Sequence, residues 1–264
     1  MSERQVSIPT PDGSATGLLF TPQGAGPWPG IVYLTDIWGI RPANEKMAQR
    51  VADQGYAVLM PHLFWRDQPF RFDPLLKGEE RGMDKIGPLL AALPASRMTQ
   101  DGVAYVDFLS RRPEVKAGKL AVVGYCFSGA MALRTAAAVP DKIALAASFH
   151  GGRLVTEDEG SPHLLIPKVK GALYFGHADK DQSATPAQIG VLEQALAAWG
   201  GTYESELYEG ALHGWTVEGR PEIYNPAQSE RHFQKLFEWL ERTLQHGLSS
   251  PASGVAAREG DPGR

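Results

Sequence analysis

Cysteine is almost absent from this sequence, which has one in 264 residues. A single thiol excludes an internal disulfide and is too few for a zinc site built from cysteines. A chain without disulfides fits a reducing compartment, and its first residues lack the apolar core of a signal peptide, so we expect a cytoplasmic protein. A lone cysteine is ordinarily a small buried apolar residue, and its sequence context decides whether that holds here.

Long apolar runs and an excess of one charge are also lacking. No stretch approaches the roughly 18 consecutive apolar residues of a transmembrane helix, so we expect no membrane association. The formal net charge is -4, and no cluster of lysine and arginine offsets it, so nothing predicts nucleic-acid binding. We expect a protein that acts on a small molecule and is a monomer or a homodimer.

Apolar runs alternate with helical patterns along most of the chain. The predicted strands are 5–9, 15–20, 31–34, 56–60, 119–124, 143–149, 171–175 and 203–208. The predicted helices are 42–54, 99–112, 127–138, 186–199 and 230–245. Several of the strands are apolar throughout, as in strands that are buried on both faces. This alternation predicts an α/β fold with a mostly parallel central sheet and helices on both faces.

Two segments fall outside the alternating pattern. Residues 62–95 contain several prolines and clustered charges, which favours an insertion or lid over one end of the sheet. Residues 248–264 lack aromatic residues and are rich in Ser, Gly, Ala and Pro, which predicts a disordered tail without a catalytic role. We therefore interpret residues 1–247 as a single domain.

The most informative segment surrounds the cysteine. Residues 120–130 read LAVVGYCFSGA, an apolar strand that meets a helix of small residues at Cys126. Small residues two positions before and two after the central residue make a nucleophile elbow, here with cysteine in place of serine. The side chain would project over the N-terminus of the helix, whose dipole favours a thiolate. Ser128 as the nucleophile would lack the flanking glycines, so we predict Cys126.

The order of residues downstream distinguishes a hydrolase elbow from a glycine-rich phosphate-binding turn. In α/β-hydrolases an acid follows a later strand and a histidine follows a still later one. Asp179 and Asp181 both follow the strand at 171–175, and His213 follows the strand at 203–208. We predict Asp179 because its Gly-x-x-Asp spacing lies close to the strand end, with Asp181 as the alternative. His213 would take the thiol proton, while the aspartate fixes the histidine tautomer.

The remaining candidates have supporting roles. An oxyanion needs donors, and in this order of elements they are the N–H after the nucleophile, on Phe127, and one from the loop after an earlier strand, on Ile37. The alternative for Ile37 is simple loop packing. His150 also follows a strand, and we interpret it as a structural histidine; His177 would compete with His213, but it precedes the acid and lies in the wrong strand connection.

Taken together, several segments resemble the dienelactone hydrolase family, which includes the carboxymethylenebutenolidases. They are residues 36–42 (DIWGIRP), 55–58 (GYAV), 124–129 (GYCFSG), 148–152 (SFHGG), 176–179 (GHAD) and 210–214 (GALHG). The resemblance covers nearly the whole chain apart from the tail. It implies a single-domain α/β-hydrolase fold and hydrolysis of cyclic enol-lactones and related esters, with no cofactor and no metal. It implies a Cys–Asp–His triad of Cys126, Asp179 and His213, with oxyanion donors on Ile37 and Phe127.

Two positions depart from the family pattern. Asp36 stands where the family usually has a glutamate that interacts with the resting thiol, and it is one methylene shorter. Residues 215–217 replace an arginine that grips the substrate carboxylate, for which Arg81 or Arg97 would be the substitute. We predict a metal-free hydrolase of a lactone or small activated ester that acts through a thioester. The alternative is a non-catalytic α/β-hydrolase-fold protein that binds a small metabolite or a protein partner.

Overall fold

Eight strands form one sheet in the computed structural model of the protein, which describes residues 2–67 and 82–246. The strand order is β1-β2-β4-β3-β5-β6-β7-β8. The strands are β1 (Ser2–Thr10), β2 (Gly13–Thr21), β3 (Gly30–Leu34), β4 (Ala57–Pro61), β5 (Leu120–Tyr125), β6 (Ile143–Phe149), β7 (Ala172–Lys180) and β8 (Tyr203–Leu212). β1 and β2 pair antiparallel, as do β2 and β4, and all pairs from β4 to β8 are parallel. The predicted mostly parallel sheet is confirmed.

Helices cover both faces of this sheet. They are α1 (Pro42–Asp53), α2 (Gly82–Ala92), α3 (Ala95–Ser110), α4 (Ser128–Ala138), α5 (Pro186–Trp199) and α6 (Pro226–Leu240), with a 3-10 helix at Pro162–Lys168 and a π-helical turn at Glu241–Gln245. One core packs α1 and α6 against the sheet, and a second packs α2 to α5 against the other face. None of the described helices combines the length and hydropathy that a bilayer span needs.

Alternate residues of the central strands supply the two cores. In β3, Ile31 and Tyr33 face the α1/α6 core, while Val32 and Leu34 face the other one. This is why these strands read as continuous apolar runs rather than as alternating patterns. The parallel arrangement brings the carboxyl ends of β3, β5, β6, β7 and β8 to one edge, where ligands of such sheets bind.

Helices α3 and α6 each begin four residues before their predicted starts at 99 and 230, and two further regions differ from the predicted elements. Helix α2 lies within residues 62–95, where the prolines favoured irregular chain; residues 68–81 of that segment lie outside the described residues. Strands β7 and β8 run to Lys180 and Leu212, several residues beyond the apolar runs that predicted them. The tail at 248–264 also lies outside the described residues.

Candidate active site

Cys126 occupies the tight turn between β5 and α4. Its backbone φ is +60°, in the left-handed region that non-glycine residues seldom adopt. A Cβ added at Gly124 would lie 2.2 Å from the backbone oxygen of Ser128, and one added at Gly129 would lie 2.2 Å from Ser148 Oγ. The close crossing of β5 and α4 therefore depends on Gly124, as the elbow pattern predicts, and Gly129 lets α4 approach β6.

Ser128 is turned away from the end of the sheet. Its buried hydroxyl accepts a hydrogen bond from the Tyr125 N–H at 2.9 Å and lies 2.9 Å from the carbonyl oxygens of Leu34 and Tyr125. The hydroxyl ties the first turn of α4 to β3 and β5. In this geometry Ser128 is a structural residue rather than a nucleophile.

The thiol, a histidine and an aspartate form one hydrogen-bonded row at the carboxyl end of the sheet. His213 Nε2 lies 3.0 Å from Cys126 Sγ, and His213 Nδ1 lies 2.6 Å from Asp181 Oδ2. Asp181 is the first residue after β7, and His213 is the first after β8. In such a row the histidine can exchange a proton with the sulfur while the carboxylate holds its other nitrogen.

The acid in this row is Asp181, which corrects the prediction of Asp179. Because β7 continues to Lys180, Asp179 is a strand residue and not the residue after the strand. The pairing of β7 with β8 shifts register between Ala178 and Lys180, and at this irregularity the exposed Asp179 carboxylate accepts the N–H of Gly210 at 3.0 Å. Asp179 therefore stabilises the end of the sheet and does not contact His213.

Ser183, which was not among the predicted site residues, supports the acid. Its N–H and its hydroxyl both donate to Asp181 Oδ1, at 2.8 and 2.6 Å. The same hydroxyl oxygen lies 3.0 Å from His213 Nδ1. An aspartate two positions before a serine is a common turn signal, and this spacing could have pointed to Asp181.

Two pKa shifts describe the electrostatics of the row. Burial raises the pKa of Asp181, but hydrogen bonds from His213 and Ser183 outweigh that effect and hold it below its ordinary value. Burial lowers the pKa of His213, but the hydrogen bonds to Asp181 and Cys126, together with their negative charges, raise it to about 10. At neutral pH the cited shifts therefore favour a protonated His213 ring beside an ionised Asp181.

A cavity of about 220 Å³ opens onto the thiol. Its lining residues come from the loops after β3, β5, β6 and β8: Asp36, Ile37, Trp38, Arg41, Cys126, His150, His213, Gly214, Val217, Arg220 and Ile223. Ile37 and Cys126 thus line the same cavity. Among the described residues, none accepts a hydrogen bond from the backbone N–H of Ile37 or of Phe127.

Asp36 does not bond to the thiol, contrary to what the resemblance implied. Its two carboxylate oxygens accept from the Arg41 guanidinium at 2.6 and 2.7 Å, and one of them also accepts from the Trp38 N–H at 3.0 Å. The short aspartate side chain is thus held within its own loop. Cys126 pairs with His213 instead.

The arginines near the cavity are not those that the sequence suggested. Arg97 donates to the carbonyl of Ala92, and Arg81 lies outside the described residues. Arg220 lines the cavity seven residues after His213, further along than the expected position, and Arg41 lines it from the other side. Arg220, which was not among the predicted site residues, also pairs with Glu222 at 2.8 Å.

The two further histidines differ in their relation to the site. His177 is buried outside the cavity, with Nε2 3.2 Å from Ser205 Oγ, and burial lowers its pKa to about 4. His150 lines the cavity and bonds through both ring nitrogens. Among the described residues, no group of three or more His, Cys, Asp and Glu side chains is arranged to hold a metal ion.

Known proteins share this arrangement of elements. A sequence model described as the dienelactone hydrolase family matches residues 15–244. A carboxymethylenebutenolidase from Rhodococcus opacus is 28% identical over 246 residues, 91% of this chain and 92% of its own length. The hydrolase tropI from Talaromyces stipitatus is 31% identical over 222 residues, 82% of each chain. The crystal structure of a dienelactone hydrolase from Anabaena variabilis superposes with a TM-score of 0.68 at 18% identity, covering 92% of this chain and 99% of that one.

Proposed function

The chain belongs to the dienelactone hydrolase family, and we propose that it hydrolyses a lactone or a small activated ester through a thioester on Cys126. The observation that carries this proposal is the continuous row from Cys126 Sγ through His213 to Asp181, with contacts of 3.0 and 2.6 Å. The row lies at the base of a cavity, where a substrate carbonyl can meet the sulfur. Asp181 takes the part of the triad acid.

The first half of the reaction forms the thioester. The Cys126 thiolate attacks the carbonyl carbon, and the negative oxygen is stabilised by the N–H groups of Ile37 and Phe127. When the tetrahedral intermediate collapses, the C–O bond breaks and the His213 imidazolium gives its Nε2 proton to the departing oxygen. In a lactone that oxygen stays on the same molecule, so the ring opens while the acyl group is bound to sulfur.

The second half releases the acid. Neutral His213 takes a proton from water, and the resulting hydroxide attacks the thioester carbonyl. The C–S bond breaks, the carboxylic acid leaves, and the thiolate and imidazolium pair is restored. Asp181 accepts from His213 Nδ1 throughout, which keeps Nε2 aimed at the reacting atoms.

The cavity favours a small substrate with an apolar body. About 220 Å³ is below the roughly 300–1,000 Å³ of sites for drug-sized ligands. Trp38, Val217 and Ile223 give apolar walls, while Arg220 lies where a carboxylate on the substrate could pair with it. Lactones and esters of acidic alcohols or enols suit this site because their leaving groups need little protonation.

The test is turnover of three substrates by the wild type and by Cys126→Ala. The substrates are p-nitrophenyl acetate, an uncharged enol-lactone and the same lactone with a carboxylate. We expect Cys126→Ala to lose about 10⁴-fold or more in kcat, the cost of removing a triad nucleophile. Mass spectrometry of a rapidly quenched reaction should show the protein with one added acyl group on Cys126.

Two outcomes contradict the proposal. Full turnover by Cys126→Ala would show that another group carries the reaction. Absence of turnover by the wild type on all three substrates, with a thiol that iodoacetamide still alkylates, would favour the non-catalytic binding protein. An Arg220→Gln variant separates the two lactones: it should raise KM for the carboxylated lactone and leave the uncharged one unchanged.

A further inference from the structure

His150 joins the two loops that carry the thiol and the histidine of the row. We propose that His150 is a positioning residue that sets the distance between Cys126 and His213 by bonding to the loop of each. The proposal rests on the proposed function, in which Sγ and Nε2 exchange a proton. His150 lines the same cavity, but both of its ring nitrogens are bonded to protein groups, so in this reaction it acts through its two neighbours.

The two hydrogen bonds of the His150 ring point in opposite directions. Nδ1 accepts from the backbone N–H of Cys126 at 3.0 Å, an N–H that is also shared with the Phe149 carbonyl at 3.1 Å. Nε2 lies 2.8 Å from Thr216 Oγ1, three residues after His213. An amide N–H only donates, so Nδ1 carries a lone pair and the proton sits on Nε2, which donates to Thr216.

The ring also packs directly against the second loop. Its centroid lies 5.0 Å from the Trp215 ring and 5.2 Å from the His213 ring, both edge to face. Thr216 is fixed in turn, because its carbonyl accepts from the Ser229 hydroxyl of α6 at 3.0 Å. A chain of contacts thus runs from the Cys126 N–H through His150 to the segment that carries His213.

The backbone of His150 adopts a conformation that is unfavourable for a non-glycine residue. Its φ is +41°, in the left-handed region, and its N–H donates to the Gly176 carbonyl at 2.8 Å. Two residues later, Gly152 donates to the Cys126 carbonyl at 3.3 Å. The loop after β6 is therefore hydrogen-bonded to both the N–H and the carbonyl of Cys126. A strained backbone of this kind persists only where surrounding contacts impose it.

The arrangement requires a neutral His150 ring. A protonated ring would direct an N–H at the Cys126 N–H and lose that hydrogen bond. Burial holds the pKa of His150 well below its ordinary value, and the positive charges of His213 and Arg41 act in the same direction. Tyr125 and Trp215 are the other rings against it, and neither is charged.

The experiment compares a matched pair at Thr216. Thr216→Val keeps the shape of the side chain and removes the acceptor of the Nε2–H, while Thr216→Ser keeps the acceptor. The readouts are kcat and KM for p-nitrophenyl acetate and the rate of alkylation of Cys126 by iodoacetamide from pH 5 to 9. We expect Thr216→Val to lose about tenfold in kcat and in alkylation near pH 6, with KM within about twofold of wild type. Thr216→Ser should recover most of both losses.

A second pair tests the histidine itself. His150→Asn places an amide oxygen where Nδ1 accepts from Cys126 and tolerates the left-handed backbone, whereas His150→Leu removes both bonds. We expect His150→Asn to retain more alkylation than His150→Leu at equal thermal stability.

Two results would overturn the positioning role. One is a Thr216→Val protein whose kcat and alkylation profile match the wild type. The other is a loss of kcat and of alkylation rate in both Thr216 variants that is fully accounted for by the fraction of each protein that is unfolded. The rate of alkylation reports on the Cys126–His213 pair without any substrate. A failure of the positioning role can therefore be distinguished from a failure of the proposed hydrolysis, which retained turnover in Cys126→Ala would reveal.

Discussion

At the residue scale, the two neighbouring aspartates have different tasks. Asp181 is buried against His213, whereas Asp179 is exposed and caps a backbone N–H of β8. We expect Asp181→Asn to lower kcat/KM by about 10³- to 10⁴-fold, since an amide favours the wrong histidine tautomer. Asp179→Asn, the matched control, should stay within about threefold of the wild type. Steady-state hydrolysis of p-nitrophenyl acetate measures both, and the reverse ranking would return the acid to Asp179.

His213 should keep its proton well above the pH at which free histidine loses it. Its pKa is raised to about 10 by Asp181 and Cys126, against an ordinary value of 6.5. A ¹⁵N NMR titration of the ring should therefore show an imidazolium at pH 8 in the wild type. Cys126→Ala removes the sulfur that shares the proton, so the pKa should fall in that variant. A neutral ring at pH 8 in the wild type would contradict the thiolate–imidazolium pair.

At the element scale, the crossing of β5 and α4 leaves no room for a side chain at Gly124. An added Cβ would meet the Ser128 backbone at 2.2 Å, and backbone atoms cannot move aside as a flexible side chain can. We expect Gly124→Ala to cost about 3 kcal/mol or more in the free energy of unfolding and to disturb the elbow. Gly190, inside α5, has nothing within 4 Å of its added Cβ. Gly190→Ala should therefore stabilise the protein by up to about 1 kcal/mol. Urea unfolding compares the two, and equal effects would show that the crossing is not tight.

The edge strand β8 illustrates how an element is protected from pairing with another chain. Side chains of α6 reach over its backbone: Gln228 donates to the Glu209 carbonyl at 3.0 Å, and Arg231 donates to the Leu207 carbonyl at 3.4 Å. Arg231 also pairs with Glu206 and lies over the Tyr208 ring. These contacts occupy two of the carbonyl oxygens with which a neighbouring strand could pair, which is one of the ways in which proteins manage exposed edges.

At the scale of the whole molecule, buried neutral histidines make stability depend on pH. His62, His150, His177 and His232 are all buried, and burial lowers the pKa of each, to about 4 for His62 and His177 and about 3 for His232. The unfolded chain takes up these protons below pH 6.5 while the folded protein does not. Their contribution to stability is therefore present above pH 6.5 and is lost as the pH falls towards 4, by up to about 1.4 kcal/mol per pH unit for each histidine.

The measurement is urea unfolding at pH 7, 6 and 5. We expect His232→Gln to reduce the loss of unfolding free energy below pH 6.5 by the contribution of one buried histidine. His246→Gln, at an exposed position, should leave the slope unchanged. His213 does not add to this loss, because a raised pKa stabilises the folded protein below pH 6.5 and loses that effect only as the pH rises through about 10. Stability that stays flat from pH 7 to 5 would contradict the neutral, buried state of these rings.

The sequence by itself determined the features that are local in the chain. Apolar runs bounded by glycine and proline predicted the buried strands, and small residues around Cys126 predicted a tight turn, because burial and backbone conformation depend mostly on neighbouring residues. The motifs also predicted the family. Helix α2 was missed because its proline and glycine residues obscure the helical pattern.

Only the tertiary structure decided which distant side chains meet. Asp179 and Asp181 are the same residue type, two positions apart in the sequence. The choice between them depends on where β7 ends and on a register shift in its pairing with β8. The pairing of Asp36 with Arg41, and the bonds of His150 to Cys126 and Thr216, likewise depend on loops from separate strands that converge at one edge of the sheet. A shift of one or two residues reverses the direction of a side chain in a strand, and a short sequence pattern does not specify the strand end to that precision.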